Sequence, residues 1–245
     1  MSQNQKPQEQ KLSAATPLGF DAQAIPIHEI CHSQTKVAQH VLEPLALKSR
    51  FQNPPAWQPE ITDENRQVIA AGIIQNRQAA GKITQAAVLI PLLLKSDGLS
   101  VLLTQRTDHL HDHAGQISFP GGRMDPGDSS PNDTALRESE EEIGLDRQGV
   151  EVIGHLPQYL TVSGYSVTPV VGLVKPQAEY ALDAFEVADV FEVPLHFLMD
   201  PANHQVRVWE SDQGSRRFYS MPYENRFIWG ATAGMLRNLY HLLKV

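Results

Sequence analysis

Glu138, Glu141 and Glu142 stand at the spacing that puts three carboxylates on one face of a helix. They lie in residues 121–145, GGRMDPGDSSPNDTALRESEEEIGL. Asn132 or Asp133 can cap a helix start there and Gly144 can end it, which predicts a helix over residues 134–143. Like charges at that spacing repel one another unless cations gather beside them. Clustered carboxylate oxygens suit Mg²⁺ or Mn²⁺, and those ions in turn bind phosphate oxygens. Arg137, four residues before Glu141, can hold that carboxylate by a forked hydrogen bond. A Glu-rich helix taken alone is also the ordinary make-up of a solvated face.

The stretch resembles a Nudix box, G-x5-E-x7-R-E-U-x-E-E-x-G-U with U aliphatic. Arg137, Glu138, Glu141, Glu142, Gly144 and Leu145 match its second half. The first half departs: the acidic position holds Asp128, and eight residues rather than seven separate it from Arg137. Ser139 stands at the first aliphatic position. The loop is therefore one residue longer than the pattern, which leaves the role of Asp128 open. The Gly121-Gly122 turn, the Arg137-Glu138 pair and the Gly144-Leu145 end together favour the box over a solvated face.

Residues 102–122, LLTQRTDHLHDHAGQISFPGG, carry a second signature. They resemble the pattern of the coenzyme A pyrophosphatase branch of that family, L-L-T-x-R-[SA]-x3-R-x3-G-x3-F-P-G-G. Leu102, Leu103, Thr104, Arg106, Gly115, Phe119, Pro120, Gly121 and Gly122 fit. Thr107 stands where Ser or Ala is usual, and His111 where Arg is usual. An Arg there would hold a phosphate as a fork; a His carries one positive charge, and only part of the time near neutral pH. Residues 156–172, 186–201 and 228–236 match the same branch.

The resemblance implies metal-dependent hydrolysis of the diphosphate bond of coenzyme A and its derivatives, giving 3′,5′-ADP and 4′-phosphopantetheine species. Diphosphate oxygens repel a nucleophile; divalent ions neutralise them, acidify a bound water and stabilise the leaving phosphate. By their match to the box, Glu138, Glu141 and Glu142 are the expected ligands of Mg²⁺ or Mn²⁺. The proton of the water goes to one of them, Glu141 included, or to a carboxylate from another loop, for which Glu186 is the candidate. Arg137 completes the expected catalytic set. Gly121 and Gly122 allow close backbone approach, and Arg106, His111 and Arg123 are the expected phosphate contacts. His109, His111 and His113 alternate and would share a face if extended, but no sulfur ligand or clear fourth partner accompanies them. Tyr159, Tyr165 and Phe119 are candidates to stack on an adenine.

These groups need a rigid support. Residues 86–94, AAVLIPLLL, read as a buried strand, paired through the turn 96–98 with a strand over 99–106. Residues 150–155, 167–174 and 188–193 read as further strands, and 206–210 and 217–221 as a pair. A C-terminal amphipathic helix is predicted over 228–243. Another helix runs from Thr62 or Asp63 to about Ala79, with Val68, Ile69, Ile73 and Ile74 on one side. Apolar spacing over 21–47 also favours helix, interrupted by Pro26 and Pro44, and 51–59 is a Pro-rich linker. The expected class is α/β (α+β): a mixed sheet between helices, which the resemblance identifies with an αβα sandwich. Residues 1–60 are read as an N-terminal helical extension, disordered to about residue 20, and 61–245 as the hydrolase domain.

The composition narrows the partners. The chain has 245 residues, 41% of them hydrophobic, enough for a large core. A net charge of −8 disfavours nucleic acid as a partner. No apolar run is long enough to span a membrane, the start lacks the apolar core of a secretion signal, and a single cysteine, Cys31, fits a reducing cytoplasm. The expected partner is a small molecule, coenzyme A or an acyl-coenzyme A; a homodimer is kept open. Two rivals remain: a Nudix pyrophosphatase of ADP-ribose or another nucleotide derivative, and a non-catalytic nucleotide-binding regulator on the same fold.

Overall fold

The computed structural model describes residues 20–70, 83–109, 115–161, 163–211 and 214–245. In chain order the first elements are β1 (Ile27–Ile30), α1 (Pro44–Gln52) and α2 (Asp63–Ala70). Then come β2 (Thr84–Lys95), β3 (Gly98–Arg106), β4 (Ile117–Ser118), β5 (Gly121–Arg123) and α3 (Pro131–Ile143). The strands β6 (Val150–His155), β7 (Tyr159–Leu160), β8 (Tyr165–Val174) and β9 (Val187–Pro194) follow. The chain closes with α4 (Leu195–Leu198), β10 (Gln205–Ser211), β11 (Gly214–Tyr223), β12 (Arg226–Trp229) and α5 (Gly230–Leu243).

β2 organises the main sheet. Along one edge it runs parallel to β8 from Thr84 to Leu93. Along the other it pairs antiparallel with β5 at Ala86–Val88 and with β3 at Leu92–Lys95. β9 lies along the far edge of β3, and β6 pairs antiparallel with β8, so the sheet is mixed. The continuous apolar run of β2 has a simple cause: both of its faces are covered. Leu89, Leu93, Leu102, Val170 and Val174 meet Ala135, Ile143 and Leu145 on the α3 side. Ile90, Leu92, Val101, Leu103 and Val171 meet Met235, Leu236 and Leu239 of α5 on the other. This is the expected layered α+β arrangement. No helix among the described residues is long and apolar enough to cross a membrane.

Two expectations need correction. In place of a helix over 21–47, residues 27–30 form β1, which pairs with β10, and α-helix begins only at Pro44, after a short 3-10 helix at Gln39–Leu42. The three-residue spacing of Ile27 and Ile30 mimics a helix, but pairing with the free edge of β10 satisfies the backbone instead. The C-terminal helix starts at Gly230 rather than residue 228, because Ile228 belongs to β12, paired with β11. Ile228 is fully buried, so its apolar character fits the helical stripe although its backbone is extended. β1, β10, β11 and β12 make a second sheet of four strands. Helix α2 runs to Ala70; Ile73 and Ile74, expected on its apolar side, lie outside the described residues.

The N-terminal third is tied to this framework. Val37, Leu42 and Leu47 enter the core on the α5 side. Arg237 of α5, 1% exposed, donates to Gln34 Oε1 (3.0 Å), His204 Nδ1 (3.0 Å) and Glu60 Oε2 (2.8 Å). Burial alone would raise the Glu60 carboxyl, but hydrogen bonds from His241 and Arg237 and the charge of Arg237 outweigh it and hold it at about 2. Removing this carboxylate leaves a buried guanidinium without its anion, so Glu60→Ala is expected to cost about 3 kcal/mol in denaturant unfolding at pH 7. The Glu60 contribution is complete above its ordinary value of 4.5 and disappears as pH falls through about 2, so the variant and the parent should converge in acid.

Candidate active site

Helix α3 starts at Ser130, whose hydroxyl accepts from the Asp133 N–H, so the cap lies two to three residues before the expected Asn132 or Asp133. Gly144 ends the helix at φ 64, a left-handed conformation that glycine adopts without strain. Ser139, in the place of an aliphatic residue, is fully buried, and its hydroxyl donates to Ala135 O (2.6 Å). A hydroxyl can therefore occupy the packed side of this helix because the preceding turn satisfies it.

The three carboxylates on α3 grade from solvent to interior. Glu141 has a 57% exposed side chain held by Arg137 Nη1 (2.9 Å). The Glu138 side chain is 19% exposed and lies 3.0 Å from Arg137 Nη2. Glu142 is 7% exposed and its Oε2 accepts the Gly121 N–H (3.1 Å). Burial pushes the Glu142 carboxyl up to about 7; the Gly121 bond opposes the shift, while Glu138 and Glu186 add to it. Burial also raises Glu138, against the pull of Arg137 and with a push from Glu141 and Glu186.

Asp128, whose role the box pattern leaves open, is the principal partner of Arg137. Its two oxygens accept Nε (3.0 Å) and Nη2 (2.9 Å) of that guanidinium, and Oδ2 also accepts from Thr134 Oγ1 (2.9 Å). Arg137 thus holds Asp128, Glu138 and Glu141 and donates to Arg123 O (3.0 Å), so it positions carboxylates.

Other expected residues fall around this face. Arg106 ends β3 with Nη1 4.0 Å from Glu186 Oε2, and its charge lowers the Glu142 carboxyl. Glu186 acts electrostatically on both Glu138 and Glu142. Arg123 is exposed at the end of β5. His111 and His113 lie outside the described residues; His109 sets its ring against Phe185. Phe119 and Tyr159 are 3% and 2% exposed, which removes them as stacking surfaces, whereas Tyr165 is 40% exposed. Sequence reasoning placed Asp128 at the acidic position of the box without pairing it with Arg137, and it passed over Phe185, although an apolar residue beside Glu186 was visible.

Among the described residues no three His, Cys, Asp or Glu groups stand ready as a metal cluster. The donor set still fits a hard divalent cation, since it is all oxygen and partly desolvated, with burial raising the Glu138 and Glu142 carboxyls. The glycine pair is shaped to this set. A Cβ on Gly122 would lie 2.5 Å from Glu138 Cδ. A Cβ on Gly121 would meet Ala87 O at 2.4 Å, at a backbone φ of 149. Gly122→Ala is expected to keep its stability and lose at least about tenfold in turnover, because only the mobile end of Glu138 must move. Gly121→Ala is expected to lose about 1–3 kcal/mol from backbone strain, with the backbone clash adding to it. Denaturant unfolding and steady-state kinetics on the two variants separate these effects.

The chain belongs to the Nudix family, whose NUDIX domain matches residues 83–213, and with Nudix hydrolases among its relatives it is a pyrophosphohydrolase. Among its relatives is an uncharacterized Nudix hydrolase, NudL, of Yersinia pestis (strain Pestoides F). The two are 44% identical over 155 residues, 63% of this chain and 77% of that protein. NudL of Yersinia pseudotuberculosis serotype O:1b (strain IP 31758) matches to the same extent, 44% over 155 residues. Similar solved structures include the Nudix hydrolase RenU of M. smegmatis, at 22% identity and TM-score 0.40, covering 45% of this chain and 70% of that one. A MutT protein from Methanosarcina mazei Go1, at 18% identity and TM-score 0.43, covers 65% and 94%.

Proposed function

We propose that this protein hydrolyses the diphosphate bond of coenzyme A and its acyl derivatives, with Mg²⁺ or Mn²⁺, releasing 3′,5′-ADP and a 4′-phosphopantetheine species. One observation supports the reading: two residues of the signature, Arg106 and Gly121, lie beside the buried carboxylate Glu142 of α3. Arg106 faces Glu186 at 4.0 Å, and Gly121 gives its N–H to Glu142 Oε2. Glu138, Glu141 and Glu142 would hold the cation, which when bound supplies charge for the diphosphate oxygens and an acidified water. Arg137 orients Glu138 and Glu141. Arg106, Arg123 and His111 are assigned to the phosphates, and the glycine pair to close approach of the diphosphate. Glu186, in the loop before β9, is assigned to take the proton of the attacking water.

The test is product analysis after incubation with coenzyme A, an acyl-coenzyme A, ADP-ribose and a dinucleoside polyphosphate, each with Mg²⁺ or Mn²⁺. Coenzyme A should give 3′,5′-ADP at the highest kcat/KM. Far faster cleavage of ADP-ribose would move the substrate elsewhere in the family, and binding without turnover in either metal would support a regulator.

A further inference from the structure

The rim of the site carries an aromatic ring that the chemistry above leaves unused. Phe185, directly before Glu186, is 65% exposed. An exposed side chain on a loose loop needs no explanation. This one sits on a rim whose backbone is held from both sides. Phe185 O accepts Thr107 Oγ1 (2.8 Å) and Glu186 O accepts Thr107 N (3.0 Å). Phe185 N donates to Asp183 Oδ1 (2.9 Å), and Asp183 N donates in turn to Glu142 O (2.9 Å). The rim is therefore fastened both to the end of β3 and to the carboxylate helix. The hydroxyl that distinguishes Thr107 from the alanine permitted at that position in the branch pattern makes one of these bonds.

The ring also has an aromatic neighbour. The His109 imidazole stands edge-on to it, centroids 4.9 Å apart and planes at 60°. Together they form a corner with an open aromatic surface, one residue from Glu186 and on the same rim as Arg106. Held before any ligand arrives, such a corner gives up little conformational freedom on binding. Flat π-systems, more than flexible aliphatic chains, gain from stacking against it. Of the aromatic side chains first expected to meet a base, Phe119 and Tyr159 are buried and Tyr165 is 40% exposed; Phe185, which was not among them, is the most exposed of the four at 65%.

We propose that the Phe185–His109 corner is a nucleobase platform, stacking the purine of a nucleotide whose diphosphate lies over Glu138, Glu142 and Arg106. The assignment rests on the nucleotide-hydrolase reading but not on coenzyme A alone, because ADP-ribose carries the same adenine. The experiment is equilibrium binding of AMP and of ribose 5-phosphate, with Mg²⁺, to the full chain and to Phe185→Ala, Phe185→Trp and Leu182→Ala. Leu182, 36% exposed on the same loop, serves as the control. Phe185→Ala should weaken AMP about tenfold, the scale of one base–aromatic stack, and leave ribose 5-phosphate unchanged. Phe185→Trp should restore AMP binding, and Leu182→Ala should leave it as in the parent. The platform is overturned if Phe185→Ala leaves AMP unaffected or weakens both ligands alike, or if the parent binds AMP no better than ribose 5-phosphate. A parent that binds AMP through Phe185 yet cleaves no diphosphate would keep the platform and remove the hydrolase reading.

Discussion

Glu142→Gln is expected to lower kcat about a thousandfold and to leave thermal stability unchanged or slightly higher. Glu142 is 7% exposed, burial drives its carboxyl up to about 7, and Glu138 and Glu186 repel it. In the metal-free protein its charge is a liability, so an amide of the same shape relieves the fold. Glutamine still offers an oxygen to the Gly121 N–H. It cannot supply the negative charge that a divalent ion needs, and loss of several kcal/mol of transition-state stabilisation corresponds to about three powers of ten in rate. Steady-state kinetics and a melting curve on the same preparation check both halves. A variant with kcat within fivefold of the parent would remove Glu142 from the metal site.

Arg137→Met is expected to fail in the opposite way, losing about 3 kcal/mol of stability together with about a hundredfold in activity. The guanidinium holds Asp128 with two hydrogen bonds, and the Asp128 side chain is 6% exposed. Removing one member of a buried pair leaves the other charge uncompensated. Those hydrogen bonds hold the Asp128 carboxyl well below the usual carboxylate range. Their stabilisation is complete above the ordinary value of 3.8 and disappears as pH falls through the lower folded value, so only the parent should lose it in strong acid. Arg137→Lys should recover little, since one ammonium cannot reproduce the fork to Asp128 and also reach Glu138 and Glu141. Denaturant unfolding of the three proteins at pH 7 measures the difference; full stability in Arg137→Met would show that the loop does not depend on this pair.

The central elements were legible because local and tertiary signals agree there. The apolar run of β2 is buried on both faces, and α3 carries its stop in Gly144. What escaped was set by pairing or packing at a distance. Residues 27–30 became a strand through the open edge of β10, and Ile228 reads as helical although the partner of its backbone is Met221. In the site, the acidic triad stands on one helix and could be counted from spacing. The attachment of Asp128 to Arg137 could not, because the two are nine residues apart across a loop whose path no periodicity reports. The exposure of Phe185 depends on Thr107 and Asp183 holding a turn that no periodicity reports.

The most direct measurement is anomalous diffraction from crystals soaked in Mn²⁺ with a non-hydrolysable diphosphate nucleotide. The account predicts manganese peaks within coordination distance of the Glu138 and Glu142 carboxylates, bridging them to the diphosphate. A diphosphate bound in full occupancy with no manganese beside either carboxylate would contradict it.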